Sequence, residues 1–431
     1  MRSKLGVFGC LVVVAGVIAG CGSSSSSSSS SSTPGVTATS ITIGSHQPLT
    51  GVAAPGYSEI APAANAYFKY VNNRGGVFGR KINFIYKDDG YNPTNTVTVV
   101  RQLVLQDNVF AIFDGLGTPT HTKVVGFLNS SHVPDLFVAS GCPCWDNGST
   151  QPYTFGWLPN YTIEGKILGQ YIKQHFAGKK VGVLYQNDDF GNGGLAGLKD
   201  ELPANQIVTA QPYEPTNTVI APQVTAIQHA GAQVQVDFTV PAFTAIGQLT
   251  AFKLGYKPQL VSSNVGIDPT TVGGMLKSFS KGAAGTALIQ GTITDGYLPS
   301  PNDTANPWVA LFKKIHDQYD SSAPFDGNVE FGLASAYTFV QALQAAGKNL
   351  TRQGIVNAVN TMGASWKGPG LVPYRYSTTD HGGYAGVQMA RVTGGKIVAF
   401  GTPQTTDPAS GPITPYTTPQ APPPAGGVPT T

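Results

Sequence analysis

The residues of this 431-residue chain best placed to do chemistry are two adjacent carboxyl pairs, Asp88-Asp89 and Asp188-Asp189, and two cysteines one residue apart in Cys142-Pro143-Cys144. Paired carboxylates can serve acid–base catalysis, but each pair follows a strand-like run and precedes a helical one. Asp forms turns and caps helix N-termini at such junctions, so both pairs are read as turn and cap residues. The cysteine pair is read as a disulfide, with free thiols and a redox or metal role as the alternatives. No basic residue flanks it to lower a thiol pKa, and no histidine cluster completes a zinc set. His121, His132 and His175 fall in or near helices and turns and read as solvated. No Gly-x-Ser-x-Gly elbow, His-Glu-x-x-His or phosphate loop occurs. The expectation is a protein without catalysis, cofactor or metal.

The N-terminus decides the compartment. Arg2 and Lys4 precede an apolar run from Leu5 to Ile18, too short to span a bilayer stably, so residues 1–20 read as an export signal. Ile18-Ala19-Gly20-Cys21 resembles a bacterial lipobox, which makes Cys21 the acylated first residue of the mature chain. Ten serines, Ser23 to Ser32, follow as a polar tether within residues 21–39. The expected location is the extracytoplasmic face of the bacterial cytoplasmic membrane, reached through a lipid anchor only. An exported compartment favours oxidation of Cys142 and Cys144.

Composition narrows the partners. The chain has 26 basic and 23 acidic residues, and loss of Arg2 and Lys4 leaves 24 against 23. A nearly neutral chain with no basic stretch interleaved with aromatics is not a nucleic-acid binder. Beyond the signal, no apolar run reaches the length of a membrane span. From about Thr402 the chain turns rich in Pro and Thr without apolar periodicity, and residues 401–431 are expected to be disordered.

Between tether and tail, strand-like and helix-like runs alternate. Ser40–Gly44, Lys81–Tyr86, Phe110–Phe113 and Leu136–Ala139 read as strands, with helices over 58–72 and 93–106. The rhythm restarts at Val181–Tyr185, with helix 195–202, strand Val236–Val240, helix 242–255 and strand Gln259–Asn264. Such alternation implies α/β architecture, with two doubly wound parallel sheets whose ligands sit at the carboxyl ends of the strands.

Several fragments, in order, carry a resemblance: Ile43-Gly44-Ser45 with Pro48-Leu49-Thr50-Gly51, the Asn73 to Gly79 turn, Tyr86-Lys87-Asp88-Asp89, Leu116 to Thr120, Ala139-Ser140-Gly141, Tyr185 to Gly191, and Glu330 to Tyr337. Over about residues 40–395 the chain resembles the substrate-binding proteins of branched-chain amino acid type ABC transporters. The resemblance implies the type I periplasmic binding protein fold: two Rossmann-like lobes joined by three crossovers, near residues 158, 294 and 373. Lobe I would be 40–158 plus 295–372, and lobe II 159–294 plus 373–400. A monomer that closes on a small-molecule ligand and hands it to an ABC permease is implied. The same closure could serve a sensing receptor, or, as the remoter reading, a thiol oxidoreductase could use Cys142 and Cys144.

The resemblance also implies where the ligand sits. Lobe I would hold its polar head through the loops Leu116-Gly117-Thr118 and Ser140-Gly141-Cys142, since hydroxyls and backbone N–H groups suit a carboxylate. Thr118 is the leading contact, and it also suits the start of a helix near Pro119. Phe190, Pro241 and Asn264 would face it from lobe II, with Tyr57, Tyr161 and Trp145 as further aromatic candidates. Two departures from the family pattern stand out. Phe190 replaces a tyrosine, and Ser263 or Asn264 replaces the acidic residue that meets a ligand ammonium, which leaves amino acids, amides and aromatic or aliphatic carboxylates all as ligand classes.

Overall fold

The computed structural model describes residues 33–430. The export signal, Cys21 and the serine tract lie outside the described residues. Nothing in the described part is a helix long and apolar enough to cross a membrane.

Two sheets organise the chain. The first contains β1 (Ser40–Gln47), β2 (Lys81–Asp88), β3 (Ile112–Phe113), β4 (Asp135–Val138) and β5 (Thr154–Gly156), all parallel, in the order β2-β1-β3-β4-β5. The second contains β6 (Val181–Gln186), β7 (Ile207–Tyr213), β8 (Val234–Phe238), β9 (Gln259–Ser262), β10 (Ile293–Gly296), β11 (Gly386–Thr393), β12 (Lys396–Ala399), β13 (Gln404–Thr405) and β14 (Thr414–Pro415). Its parallel part repeats the first pattern as β7-β6-β8-β9-β10, and β11 to β14 extend it antiparallel. In both sheets the order reverses beside the first strand, which leaves a crevice at the carboxyl ends of β1 and β3 and of β6 and β8. This is the α/β, two-lobed architecture expected from the alternation.

The helices form where their apolar positions recur at helical spacing. Ile60–Asn72 buries Ala64, Phe68 and Val71 against the first sheet and against helix Gly327–Ala346. Phe68 meets Phe113 at 5.5 Å between ring centres, and Phe113 meets Phe339 at 5.0 Å, so aromatic edges tie strand to helices. Three segments pass between the sheets, around 157–160, 297–306 and 366–385. They are laced together: Leu371 N–H donates to the Tyr297 carbonyl at 2.8 Å and Tyr384 N–H to that of Trp157 at 3.3 Å, inside a cluster of the Trp157, Tyr297, Tyr374 and Tyr384 rings.

The expected disorder of residues 401–431 is wrong for the described part of that stretch. β13 pairs with β11, and the buried Lys166 ammonium donates to Thr406 Oγ1 and to the carbonyls of Asp407, Ala409 and Gly411 at 2.7–3.1 Å. The chain then crosses to the other lobe. There Trp308 Nε1 donates to the Ala421 carbonyl, and Tyr70 and Tyr67 hydroxyls donate to those of Gly426 and Gly427. A strap held by its own carbonyls needs no apolar periodicity, which is why composition read as disorder.

Candidate functional site

The loop after β3 is built on close approach. Gly117 has φ +103°, and a Cβ there would lie 2.5 Å from the Tyr91 ring and 2.6 Å from Thr120 Oγ1. Gly115 has no room either, because a Cβ would press on both His46 and His121 at 2.7 Å. Those histidines form a buried line beneath the loop: Asp89 Oδ2 to His46 Nδ1 at 2.8 Å, His46 Nε2 to His121 Nδ1 at 2.9 Å, and His121 Nε2 to Asp135 Oδ2 at 2.7 Å. Burial pushes the His46 imidazole below its ordinary pKa, against the pull of Asp89. His121 is thus fully buried, not solvated as expected, because its partners come from β1 and β4. Asp89 keeps the anticipated turn bond, accepting from Tyr91 N–H at 2.8 Å, and adds the one to His46, while Asp188 caps helix Asp189–Glu201 through Phe190 N–H at 3.0 Å as anticipated.

Above this line, Thr118 Oγ1 and Ser140 Oγ lie 2.7 Å apart, and Tyr161 Oη reaches Ser140 Oγ at 3.4 Å. Cys142 N–H donates to Ser140 Oγ at 3.3 Å, and Trp145 Nε1 to the Ser140 carbonyl at 3.1 Å. The sulfurs of Cys142 and Cys144 are bonded to each other, and Cys142 is wholly buried. Neither sulfur is free for a metal, although Asp189 stands beside them. Thiol chemistry would require opening that bond first, with Cys144 as its accessible side.

A cavity of about 190 Å³ lies between the two sheets' carboxyl ends. Leu116, Gly117, Thr118, Phe190 and Asn264 line it, as do Tyr57 and Tyr161. Ser140, Gly141 and Cys142 stand behind Thr118 and Tyr161, Trp145 packs beneath them, and Val240 lines the cavity where Pro241 was expected. Phe190 lies 4.5 Å from the Tyr161 ring, so it both packs and faces the space. Hydrogen bonds clasp the lobes around it: Tyr57 Oη to the Val265 carbonyl at 2.8 Å, Asn328 Nδ2 to Thr271 Oγ1 at 3.2 Å, and Gly327 N–H to Asp268 Oδ2 at 3.2 Å.

The sequence reading missed the acidic side of the cavity. Asn264 Nδ2 donates to Glu164 Oε1 at 2.8 Å and to Asp295 Oδ1 at 2.7 Å, and Asp295 lines the space. The pairing of Ile293 with Val261 carries Asp295 up beside the Ser263-Asn264 turn, so a carboxyl does stand at this corner, one strand over from where it was sought. Glu330 and Asp268 line the cavity too, with Tyr91, Tyr297 and Phe331. Burial, reinforced by Glu164, pushes the Asp295 carboxyl well above its ordinary pKa, and burial does the same to Glu330. One signal was available: Glu330 is the single charged residue in the otherwise apolar or neutral helix Gly327–Ala346.

Comparison with known proteins agrees with this geometry. A Leu/Ile/Val-binding protein homolog of Brucella suis is 27% identical over 329 residues, covering 72% of this chain and 79% of that protein. Among solved structures, a branched-chain amino acid ABC transporter protein from Thermus thermophilus with bound valine superposes with a TM-score of 0.73 at 20% identity, over 86% of this chain and 97% of that one. A fatty acid ABC transporter substrate-binding protein from Thermomonospora curvata gives 0.74 at 24% identity, over 89% and 98%. The family model described as Periplasmic binding protein matches residues 40–396, and with two lobes clasped over a lined cavity, the chain belongs to the periplasmic binding protein family.

Proposed function

We propose that this protein captures one small, polar-headed organic solute between its lobes, leaves it chemically unchanged, and delivers it to an ABC permease. The observation that carries the reading is the cavity itself, walled by both lobes and clasped across the seam by Tyr57, Gly327 and Asn328. Thr118, with Ser140 and Tyr161 behind it, is the proposed contact for the solute's polar head. Amino acid and aliphatic carboxylate solutes both have precedent in the names of the relatives. Acylation of Cys21 and the serine tether hold the capture domain at the outer face of the membrane in this reading, and binding alone, without catalysis, is its whole activity.

Closure on a solute adds stability through mass action, about 2.7 kcal/mol at a hundredfold excess over Kd. A thermal-shift screen of amino acids, amides and aromatic or aliphatic carboxylates on protein first stripped of bound solute tests this. A rise in melting temperature with one class is expected, and no response to any class overturns the reading.

A further inference from the structure

We propose that one proton shared by His46 and His121 holds the Thr118 loop in place, so that the loop is ordered while the proton is present and loosens when rising pH removes it. The consequence for capture rests on the reading above; the proton count does not. The line Asp89–His46–His121–Asp135 has three contacts, at 2.8, 2.9 and 2.7 Å, and each needs one proton between its two atoms. Two neutral imidazoles bring one N–H apiece, which fills two of the three contacts in any choice of tautomers. An added proton must fill the third. Asp89 also accepts from Tyr91 N–H and from the Thr96 hydroxyl, both at 2.8 Å, and Asp135 Oδ2 from the Thr154 hydroxyl at 2.9 Å. Both carboxyls therefore act as acceptors, and the added proton falls to the imidazole pair, as one imidazolium in a line with a carboxylate at each end.

All four side chains are buried, and neither carboxyl meets a lysine or arginine among the described residues. Asp89, His121 and Asp135 are the titratable groups that face His46, and Trp145 meets His121 edge-on at 5.4 Å. Asp114 adjoins Gly115, and burial pushes its carboxyl well above the usual range. Burial disfavours a charged His46, which suits it to the neutral, accepting part in the pair. The loop backbone runs directly over the shared proton: a Cβ on Gly115 would lie 2.7 Å from both facing nitrogens, His46 Nε2 and His121 Nδ1. Leu116 N–H donates to the His46 carbonyl at 3.2 Å, and Ala139 N–H to the Gly115 carbonyl at 3.0 Å, so both hydroxyl loops hang on this point. Without the proton, two buried acceptors face each other at 2.9 Å, or a carboxylate faces a bare ring nitrogen at one end. The rings must then part, and Gly115 leaves them no slack.

Two measurements on the purified full chain, neither using a solute, test this. The first is nitrogen NMR of histidine-labelled protein, raised from about pH 5 to about pH 9, the range in which imidazoles titrate. At the acid end the facing nitrogens should show scalar coupling across an N–H···N bond with one ring doubly protonated, and both signs should vanish in a single step. Two neutral rings throughout, two charged rings at once, or an imidazolium that persists until the protein unfolds in alkali would each overturn the proposal. The second is amide hydrogen exchange of Leu116 and Ala139, corrected for the intrinsic effect of pH. Protection should fall about tenfold or more across the same step, as local opening becomes easier, and His121→Gln, which leaves one imidazole and no third proton to lose, should flatten the dependence. Protection unchanged through the step overturns control of the loop, and it does so in the wild type even where the variant fails to fold. A solute screen that finds nothing would remove capture and leave this result intact, whereas failure here leaves capture standing.

Discussion

The hydroxyl loops and the carboxyl wall share one cavity and are finished to different degrees. Thr118, Ser140 and Tyr161 satisfy one another, and beneath them the Asp89–His46–His121–Asp135 line fixes the backbone that carries Thr118. Asp295 Oδ2 and Glu330 Oε1 have no donor among the described residues. A saturated group is preorganised and costs little to present to a guest, whereas an unsaturated buried group rejects any guest that cannot fill it. If the proposed capture site is right, positioning and discrimination fall to separate parts of it.

Breaking the saturated side should have the largest effect. His46→Ala removes the link between Asp89 and His121 and should cost about 3–5 kcal/mol of stability, the range for removing one partner of a buried pair; urea unfolding reads it, and a loss under 1 kcal/mol would show that the line is ornamental. Thr118→Ala should weaken solute binding by about 1–3 kcal/mol with little change in melting temperature, because it removes a contact to the guest while Cys142 N–H and Tyr161 still partner Ser140. Isothermal titration checks this, and unchanged affinity would move the polar head elsewhere.

The acidic side should show itself through pH. Burial, then Asp268 across the seam and Glu59 beside it, lifts the Asp326 carboxyl from 3.8 to about 8. Its folded pKa lies above its unfolded one, so the native state binds the extra proton between those values and stability falls as pH rises through that window, by at most about 1.4 kcal/mol per pH unit. The melting temperature should drop between pH 5.5 and 7.5, and Asp326→Asn should flatten the slope; a rise with pH would contradict the sign. The smallest effect sharpens the contrast itself. Glu330→Leu should stabilise the empty protein by about 1 kcal/mol, since it removes a buried carboxyl oxygen without a donor among the described residues. Destabilisation of the empty form would mean that Glu330 is structurally satisfied.

Much of the frame was legible because alternation of strand and helix is a local pattern. Val181–Gln186 and Ile60–Asn72 lie close to their expected positions, and the two hydroxyl loops meet as the family resemblance implies. Helix Asp189–Glu201 starts six residues earlier than its apolar run suggested, because three glycines, at 191, 193 and 194, hide its first turns. What escaped was non-local. His121 looked solvated because its partner His46 lies 75 positions away. Asp295 drew no reading at all, because only the neighbouring strand shows what it faces.

The strap has a mechanical corollary. Gly411 is moored on Lys166 in one half, and Ala421 on Trp308 in the other, with ten residue steps of chain between them. Drawn taut, that length covers at most about 35 Å. It therefore acts as a stay on the clamshell, setting how far the jaws can gape before a mooring must slip.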